Sequence, residues 1–553
     1  MASSSNRFFS GHLRPNLDDQ FSFRSDDSFI SHEGDEEATA STPDLQSVST
    51  SDESSWVQKP LVVVVVGASG DLAKKKTYPS LFELYQHGLL PSNTTIWGYA
   101  RSPKSHEELR AHLAPHLANS QVPHAEAPHN TLQHFLNMCY YHHGNSYGDV
   151  SAYSMMLQEI TSMADFSATE PPNVLYYLAI PPNVFHETVS TLEQIPEAVV
   201  PGRVRFVIEK PFGHDTESCK GLLQNFQGLG EEMQYRIDHY VGKPMVENLV
   251  TLRMANPWLE HMWSHQFIES IHIRFKEPFG SQGRGGYFDR FGIIRDILQN
   301  HLLQVLLYLA MELPDTLVGG ADEAAATKEE DHNDSFRQAK LAVLEKMHPI
   351  LLEDSLLGQY EGYSDDPTIK NKDTNCPTYA ALRCFVNNDR WKGVPFILEG
   401  GKALNEKVVD VQVKFKNRHP FPSNILAIEI QPKMTMSMTC HVKPLDLGSS
   451  HGTKSIATTS LMTNYPPPSN SDETRSKPIE NAYTRLLWDV LRGKQNSFIR
   501  ADELVASWEL FTPLLNQIEE DNVQPIKYQY GSSGPNTRGS FLSEMTPSIQ
   551  ACL

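Results

Sequence analysis

A run of six aliphatic residues, Leu61–Val66, limits what this chain can fold into more than any other feature. An apolar run without alternation is typical of a strand that is buried on both faces of a parallel sheet. It is followed at once by Gly67-Ala68-Ser69-Gly70-Asp71-Leu72-Ala73 and by a helical pattern that reaches His87, with Gly88 as its C-cap. Strand, glycine turn and helix in this order predict the first unit of a doubly wound α/β domain.

Glycines between a buried strand and a helix let the backbone approach a pyrophosphate at the helix N-terminus. We therefore predict that this turn and the lysines behind it bind a dinucleotide; a purely structural turn is the alternative. The predicted cofactor residues of this segment are Gly67, Ala68, Ser69, Gly70, Asp71, Leu72, Ala73, Lys74 and Lys76.

The type of cofactor is predicted from the end of the second strand, where NAD sites carry an acidic residue for the ribose 2′-hydroxyl. This chain has Arg101 there. A guanidinium pairs with the 2′-phosphate of NADP, so Arg101 favours NADP over NAD, with a surface arginine of no specific role as the alternative.

Further strands at 95–100, 174–178 and 204–208 continue the α/β alternation, whereas alternating patterns predominate from about residue 265 onward. We predict an α/β Rossmann dinucleotide-binding domain over 56–235, followed by a larger α+β domain with a mostly antiparallel sheet over 236–530, which carries the substrate site and the oligomer contacts. The Ser- and Asp-rich residues 1–55 are predicted to be disordered, and residues 531–553 form a divergent C-terminal tail. The polar stretch 319–334 is predicted to be a surface insertion.

The formal net charge of -20 argues against a nucleic-acid partner and means that an anionic substrate needs a local group of Lys, Arg or His residues. The apolar runs are too short for a membrane span. The six cysteines form no C-x-x-C pair, which predicts no metal site and a reducing compartment. The start of the chain lacks an apolar signal core and is too acidic for a transit peptide, so we expect a cytoplasmic protein.

Polar residues concentrate in three places that fit a substrate site. Lys210 lies in Glu209–Gly213 at a predicted strand end, where open α/β sheets bind ligands, and Arg236–Lys243 supplies the cations that the net charge called for. The third place contains Asp296 and His301, which an α-helix turns about 140° from each other. They need not share a face, and His301 alone is compatible with a core histidine.

The segments GASGDLAKKK, YAR, EKPFG, RIDHYVGK, GRGGYFD and GIIRDILQNH together resemble glucose-6-phosphate dehydrogenases, in the same order and over about residues 58–530. The resemblance implies oxidation of D-glucose 6-phosphate to 6-phospho-D-glucono-1,5-lactone with reduction of NADP, the first step of the oxidative pentose phosphate pathway. It implies that His301 is the general base and that Asp238 accepts a hydrogen bond from its other nitrogen. An imidazole with an ordinary pKa of about 6.5 suits that role.

The resemblance also assigns the remaining site residues. It implies that the 6-phosphate is bound by His239, Tyr240, Lys243 and Lys407. It implies that the sugar hydroxyls are bound by Lys210, Glu277, Asp296, Lys402 and Gln431. Tyr177 and Lys210 would line the nicotinamide side.

The chain departs from the family pattern beside the phosphate motif. Pro244 and Glu247 stand where the family usually has Glu and Gln, which gives the hypothesis of weaker substrate binding. A non-catalytic regulatory paralogue that associates with an active family member is therefore an alternative function. An enzyme for other hexose 6-phosphates is a third possibility, because the residues that read individual hydroxyls rest on the resemblance alone.

A second departure concerns the structural NADP that higher-eukaryotic members bind with basic residues on the large sheet. Those positions correspond here to Glu399, Val408, Gln412 and Glu429. Carboxylates repel a 2′-phosphate, so we expect one catalytic NADP and no structural NADP. The family also implies a homodimer or homotetramer.

Overall fold

The computed structural model describes residues 53–118, 131–163, 171–200, 202–314, 329–417, 421–442, 457–464 and 481–544, and the residues from 50 onward form one compact unit. The first helix begins at Glu53, and its Trp56 lies against the guanidinium of Arg205, 3.9 Å from the ring centre. The last residues of the predicted tail are therefore helical. Residues 1–52, most of the predicted insertion at 319–334 and residues 545–553 lie outside the described part.

A six-stranded parallel sheet forms the first half of the described chain, in the order β3-β2-β1-β4-β5-β6. Its strands are β1 (Leu61–Val66), β2 (Thr94–Ala100), β3 (Cys139–His143), β4 (Asn173–Leu178), β5 (Val204–Glu209) and β6 (Gln234–Ile237). All six residues of β1 are fully buried, as predicted for a central strand. The strand order reverses between β1 and β4, so a crevice for a ligand opens beyond the carboxyl end of β1.

Helices connect these strands as expected for a Rossmann domain. They are α2 (Tyr78–Gln86), α3 (His106–Ala118), α4 (Thr131–Asn137), α5 (Val150–Met163), α6 (Phe185–Glu193) and α7 (Thr216–Gln224), and α1 (Glu53–Gln58) precedes β1. A π-helical turn, Ala73–Thr77, runs directly into α2, and Gly88 follows its end with a φ of 66°. The predicted strand, turn and helix are thus confirmed.

The second sheet has nine strands in the order β14-β13-β12-β11-β7-β10-β9-β8-β15. They are β7 (Ile268–Lys276), β8 (Ser355–Tyr360), β9 (Tyr379–Phe385), β10 (Pro395–Gly401), β11 (Val408–Phe415), β12 (Ile425–Gln431), β13 (Thr435–Val442), β14 (Ala457–Asn464) and β15 (Ile526–Tyr528). The pairs β10–β7 and β15–β8 are parallel and the other pairs are antiparallel. The prediction of a larger domain with a mostly antiparallel sheet is confirmed.

The helices of this second part are α8 (Pro244–Met254), α9 (Pro257–Met262), α10 (Gly285–Phe288), α11 (Leu303–Ala310), α12 (Glu329–Leu344), α13 (Ala482–Arg492), α14 (Ala501–Glu520) and α15 (Arg538–Ser543). Each described helix is too short or too polar to cross a membrane. The proposed border at 235/236 falls inside β6, which still belongs to the first sheet. The domain limits themselves stay a prediction.

One segment joins the two sheets at the site. Residues Ile294–Leu302 form a π-helix that continues into α11, and its Leu298 packs against Gly400 of β10. A Cβ at Gly400 would lie 2.7 Å from a Leu298 methyl carbon, so a larger residue there would displace that methyl group. The π-helix thus packs on the large sheet, while its Arg295 donates to the carbonyl of His214 and its His301 contacts Lys210, both after β5.

Candidate active site

The turn after β1 has the geometry of a dinucleotide-binding loop. Gly67 has a φ of 91°, and a Cβ there would lie 2.4 Å from the backbone oxygen of Ala179, so the position requires glycine. The Gly67 amide donates to the Tyr99 carbonyl at 2.7 Å and the Gly70 amide to the Gly67 carbonyl at 2.9 Å. These bonds fold the turn tightly at the strand end, where the backbone is open to a pyrophosphate.

The charged residues of this loop have two different surroundings. Asp71 is exposed and pairs with Lys74 at 2.7 Å and Lys75 at 2.9 Å, whereas Lys76 lies 5.8 Å from the ring centre of Tyr483. Leu72 and the buried Ala73 lead into the π-turn. Lys76 therefore points toward the second half of the molecule, and Lys74 toward its own helix.

Arg101 follows β2, as the sequence predicted, and its side chain is held by an aromatic residue. The guanidinium carbon lies 5.2 Å from the ring centre of Tyr147, which is nearly buried. Near Ser69, another tyrosine, Tyr141, donates to the carbonyl of Ser102 at 2.6 Å. Stacking on Tyr147 leaves the guanidinium edges available for a phosphate.

His301 and Asp238 form a buried dyad between the two sheets. Nδ1 of His301 lies 2.6 Å from Oδ1 of Asp238, and the two residues are 2% and 1% exposed. Burial tends to raise the pKa of the Asp238 carboxyl, but His301 more than offsets this, and the pKa lies well below its ordinary value. An ionised carboxylate accepts only, so Nδ1 of His301 carries the proton.

Lys210 completes the dyad on the other side of the imidazole. Its Nζ lies 2.8 Å from Nε2 of His301 and donates to the backbone oxygen of Asp296 at 3.2 Å. An ammonium group only donates, so Nε2 carries a lone pair. Burial lowers the pKa of the His301 imidazole, and Asp238 compensates only in part. The imidazole is therefore neutral near pH 7, with a basic nitrogen aimed at Lys210. The peptide bond from Lys210 to Pro211 is cis.

The expected angle between Asp296 and His301 was wrong because it assumed an α-helix. Both residues lie in the π-helix Ile294–Leu302, in which each turn closes at the fifth residue instead of the fourth. Residues five apart are therefore neighbours across one turn, and Lys210 contacts both the backbone oxygen of Asp296 and Nε2 of His301. π-helical turns are frequent at functional sites.

Charged residues that the resemblance assigned to the sugar hydroxyls converge beside this dyad. Lys402 Nζ lies 2.6 Å from Glu277 Oε2 and 4.0 Å from Asp296 Oδ2. These side chains are partly buried. The positive charge of Lys402 and the negative charges of Glu277 and Asp296 compensate one another. They supply both donors and acceptors for hydroxyl groups.

A second group of predicted residues forms a cationic region. The ring of Tyr240 lies 4.4 Å from that of His301 and 5.2 Å from Nζ of Lys243, and its hydroxyl accepts from Gln431 Nε2 at 2.9 Å. Burial, followed by the nearby Lys76 and Lys407, lowers the pKa of the Lys243 ammonium. Three lysines that repel one another are suited to a phosphate, as the acidic composition required.

The two departures beside this region are accommodated locally. Lys243 is the N-cap of α8 and Pro244 is its first residue, a favoured place for proline, and Lys243 adopts an extended backbone. Glu247 forms an ion pair with Arg485 of α13. Burial raises the pKa of Glu247 to about 7, with Arg485 opposing it. The charge of Glu247 is thus compensated by Arg485. The effect of Pro244 and Glu247 on substrate binding stays a hypothesis.

Two residues that the sequence did not single out, Glu209 and Tyr483, belong to the site. Tyr177 donates to Glu209 Oε1 at 2.5 Å, and burial raises the pKa of this carboxyl to about 7. The ring of Tyr483 lies parallel to that of His239, with centres 5.7 Å apart. Glu209 directly precedes Lys210 and could have been found from the strand end. Tyr483 lies in a different part of the chain, and no local pattern marks it.

Three side chains of the site bear on the prediction that no metal is bound. Ligand atoms of Asp238, His239 and His301 lie within 4.8 Å of one another. The hydrogen bond from His301 accounts for the position of Asp238, and His239 stacks on Tyr483. The absence of a metal stays a prediction.

A Rossmann sheet, a glycine turn at its switch point and a carboxylate-bound neutral histidine define a nicotinamide-dependent oxidoreductase. The comparisons with known proteins specify which kind. Residues 64–248 match the model "Glucose-6-phosphate dehydrogenase, NAD binding domain", and residues 250–548 match "Glucose-6-phosphate dehydrogenase, C-terminal domain". The chain belongs to the glucose-6-phosphate dehydrogenase family.

Individual relatives support the same assignment. The chloroplastic glucose-6-phosphate 1-dehydrogenase of spinach (Spinacia oleracea) is 39% identical over 500 residues, which cover 86% of this chain and 81% of that protein. The enzyme of Saccharomyces cerevisiae is 40% identical over 505 residues, covering 88% and 94%. A solved glucose-6-phosphate dehydrogenase in complex with glucose 6-phosphate superposes with a TM-score of 0.78 at 38% identity, covering 89% of this chain and 98% of that one.

Proposed function

We propose that this protein oxidises D-glucose 6-phosphate to 6-phospho-D-glucono-1,5-lactone and reduces NADP to NADPH, the first step of the oxidative pentose phosphate pathway. The observation that carries the proposal is the neutral, buried His301, with Nδ1 on Asp238 and Nε2 facing Lys210. Family membership identifies the reaction, and the complete set of predicted side chains around the dyad supports an active enzyme over a non-catalytic paralogue.

The reaction requires one proton and one hydride to leave the substrate. Nε2 of His301 takes the proton of the C1 hydroxyl, and Asp238 stabilises the imidazolium that forms. Lys210 donates toward Nε2 until a substrate hydroxyl takes that place, and it then faces the reacting oxygen. When bound, the nicotinamide accepts the hydride from C1. Breaking these two bonds turns the hemiacetal carbon into the lactone carbonyl.

The substrate phosphate is proposed to bind at Lys243, Lys407, His239 and Tyr240, with Lys76 adding positive charge. Burial, followed by repulsion from Lys76 and Lys407, lowers the pKa of Lys243, and a dianionic phosphate would relieve that repulsion. The hydroxyls of the sugar would then reach Lys402, Glu277, Asp296, Lys210 and Gln431. Binding of the phosphate thereby places C1 at His301, which is how positioning contributes to the rate.

A spectrophotometric assay of NADPH formation tests this function. We expect NADPH to appear when glucose 6-phosphate and NADP are both present, with little reaction on unphosphorylated glucose, and slower reaction on mannose and galactose 6-phosphates. The Michaelis constant for glucose 6-phosphate also tests whether Pro244 and Glu247 weaken binding. If the purified protein forms no NADPH and yet associates with an active family member, the regulatory alternative is correct.

The preference for NADP is proposed to depend on Arg101. In the variant Arg101→Gln we expect kcat/KM for NADP to fall by about 10–100-fold, because a charge-assisted pair with the 2′-phosphate is lost. In the same variant kcat/KM for NAD should change little. Arg203→Gln, which removes an exposed arginine from a loop before β5, is the matched control. Equal losses with NADP and NAD would contradict the role of Arg101.

We also propose that each chain binds one NADP, at the catalytic site, and no structural NADP. The carboxylates Glu399 and Glu429 and the uncharged Val408 and Gln412 support this, since they replace the cations that would hold a second phosphate group. Equilibrium dialysis with NADP should give one bound molecule per chain at saturation. A stoichiometry of two, the second insensitive to Arg101→Gln, would contradict it.

The assembly and the compartment are proposed on the resemblance and the composition. We propose a homodimer or homotetramer, which light scattering after size-exclusion chromatography measures, and a cytoplasmic location, which a fluorescent fusion tests. Glucose 6-phosphate is the expected partner molecule, with no nucleic acid or membrane partner. The relatives include a chloroplastic form from spinach and a cytoplasmic isoform from Solanum tuberosum. Imaging of the fusion in plastids would contradict the cytoplasmic proposal.

A further inference from the structure

Glu399 of β10 is a fully buried carboxylate that takes no part in the dyad or its polar neighbours. Its side chain is 0% exposed, and Arg538 binds it through two nitrogens, Nε to Oε1 at 2.6 Å and Nη2 to Oε2 at 2.8 Å. Nε2 of His272 lies 2.8 Å from Oε2, and the Tyr379 hydroxyl donates to Oε1 at 3.1 Å. A buried carboxylate is tolerated because these groups compensate its charge.

The arginine comes from the end of the chain, 139 residues away. Residues 531–544, here termed the C-terminal strap, begin at Gly531, whose amide donates to the carbonyl of Ala403 at 2.8 Å. At its far end, Arg383 of β9 donates to the carbonyl of Glu544 at 2.7 Å, and its guanidinium lies 4.6 Å from the ring centre of Phe541. The strap is thus attached to the large sheet at both ends, with the Arg538–Glu399 pair between them.

The same sheet face carries a row of charges across four strands. Glu399 of β10 is in register with Arg274 of β7, Arg274 with Asp410 of β11, and Asp410 with Glu429 of β12. Arg274 already forms an ion pair with Asp410. Three carboxylates therefore share the row with one paired arginine, an environment that repels a phosphate group.

Three cations that the structure describes on this face are already paired with acids. Arg538 pairs with Glu399, Arg274 with Asp410, and the buried Lys276 with Glu406 at 3.0 Å. Binding of a phosphate to Arg538 or Arg274 would have to separate its ion pair and leave the buried carboxylate of Glu399 or Asp410 without that partner. The free energy of that separation opposes binding.

We propose that the C-terminal strap, clasped by Arg538 on Glu399, stabilises this face of the large sheet in place of a structural NADP. Glu399 is a position at which the resemblance implies a cation in members with a second nucleotide, and in this chain Arg538 brings a cation to it. Sheet stability in this protein then depends on an intramolecular pair and not on the concentration of nucleotide. This goes beyond the catalytic proposal and does not require it.

A double-mutant cycle on Arg538 and Glu399 tests the clasp. In Arg538→Gln the Glu399 carboxylate is left without its bidentate partner, and we expect the Tm of the full chain to fall by on the order of 5 °C. In the double variant Arg538→Gln with Glu399→Gln the unpaired buried charge at position 399 is removed as well, so more than half of this loss should be recovered. Saturating NADP should not reduce the deficit of Arg538→Gln relative to the wild type, and kcat and KM at room temperature should be unchanged.

Lys414→Gln provides the matched control on the same sheet. Lys414 of β11 pairs with Glu269 at 2.7 Å, but both side chains are about one-third exposed, so its loss should move Tm by less than about 2 °C. Hydrogen exchange of residues 531–544 should become faster in Arg538→Gln and not in Lys414→Gln. If Arg538→Gln does not fold, Arg538→Lys takes its place in the comparison with the double variant. Arg538→Lys keeps the charge but not the two parallel bonds.

Three outcomes would overturn the proposal. They are an Arg538→Gln protein with the Tm and hydrogen exchange of the control, additive effects in the cycle, or a selective rescue of Arg538→Gln by NADP at a second site. The first two would show that the pair contributes nothing, and the third that a nucleotide can replace it. Catalytic inactivity of the wild type would leave these measurements unaffected.

Discussion

Replacing His301 by asparagine is expected to lower kcat by about 10⁴-fold, while NADP still binds with nearly unchanged affinity. The effect is large because general-base catalysis contributes up to about 10⁴-fold, and Nε2 of His301 lies within reach of Lys210 where the reacting hydroxyl must bind. An asparagine side chain fills the buried place but accepts no proton. The measurement is the steady-state rate of NADPH formation.

His348→Asn, at an exposed position after α12, is the matched control and should keep the wild-type rate. A residual activity of one-tenth in His301→Asn would show that another group is the base. The Tm of the variant should be measured with the rate, because loss of a buried imidazole beside Asp238 can also destabilise the fold.

The pH profile of the wild type follows from the direction of the His301 shift. Burial lowers the pKa of the imidazole, so the basic form persists below the ordinary value of about 6.5. We expect kcat/KM to fall only at a pH below that value, as His301 becomes protonated. If kcat/KM already fell by half above pH 7 as the pH is lowered, His301 would be protonated at neutral pH, and the neutral, buried dyad would be contradicted.

Asp238→Asn is expected to lower kcat by about 10³-fold or more with a smaller effect on substrate affinity. The carboxylate accepts from Nδ1 of His301 at 2.6 Å and from the Tyr240 amide at 2.9 Å. An amide can donate to Nδ1 and thereby stabilise the tautomer with the proton on Nε2, which cannot accept a proton from substrate. Loss of the charge also removes the stabilisation of the imidazolium.

The pH profile separates this role from a structural one. Asp238 raises the pKa of His301 against the effect of burial, so the acidic limb of the remaining activity should move to lower pH in Asp238→Asn. Asp521→Asn, at an exposed carboxylate after α14, is the control and should leave rate and profile unchanged. An unshifted profile together with a lowered Tm would mean that Asp238 only supports the fold.

The sequence alone determined the parts of this protein whose chemistry is local. The unbroken apolar run Leu61–Val66 is typical of a strand covered on both faces, and Gly67 is required by the turn that follows, so the Rossmann unit and its cofactor loop were predictable. Arg101 was found because a strand end fixes where the next residue lies. The dyad came from the resemblance, since the distance along the chain between Asp238 and His301 says nothing about their contact.

Only the tertiary structure decided how distant residues share one site or one face. The π-helix brings the backbone oxygen of Asp296 and Nε2 of His301 to the ammonium of Lys210, and its Leu298 packs against Gly400 of the large sheet. The approach of Lys76, Lys243 and Lys407 is likewise set by the docking of two sheets. Strand register aligns Glu399 with Arg274, and the returning strap brings Arg538 to it. Such contacts depend on register and docking, which residue spacing along the chain does not encode.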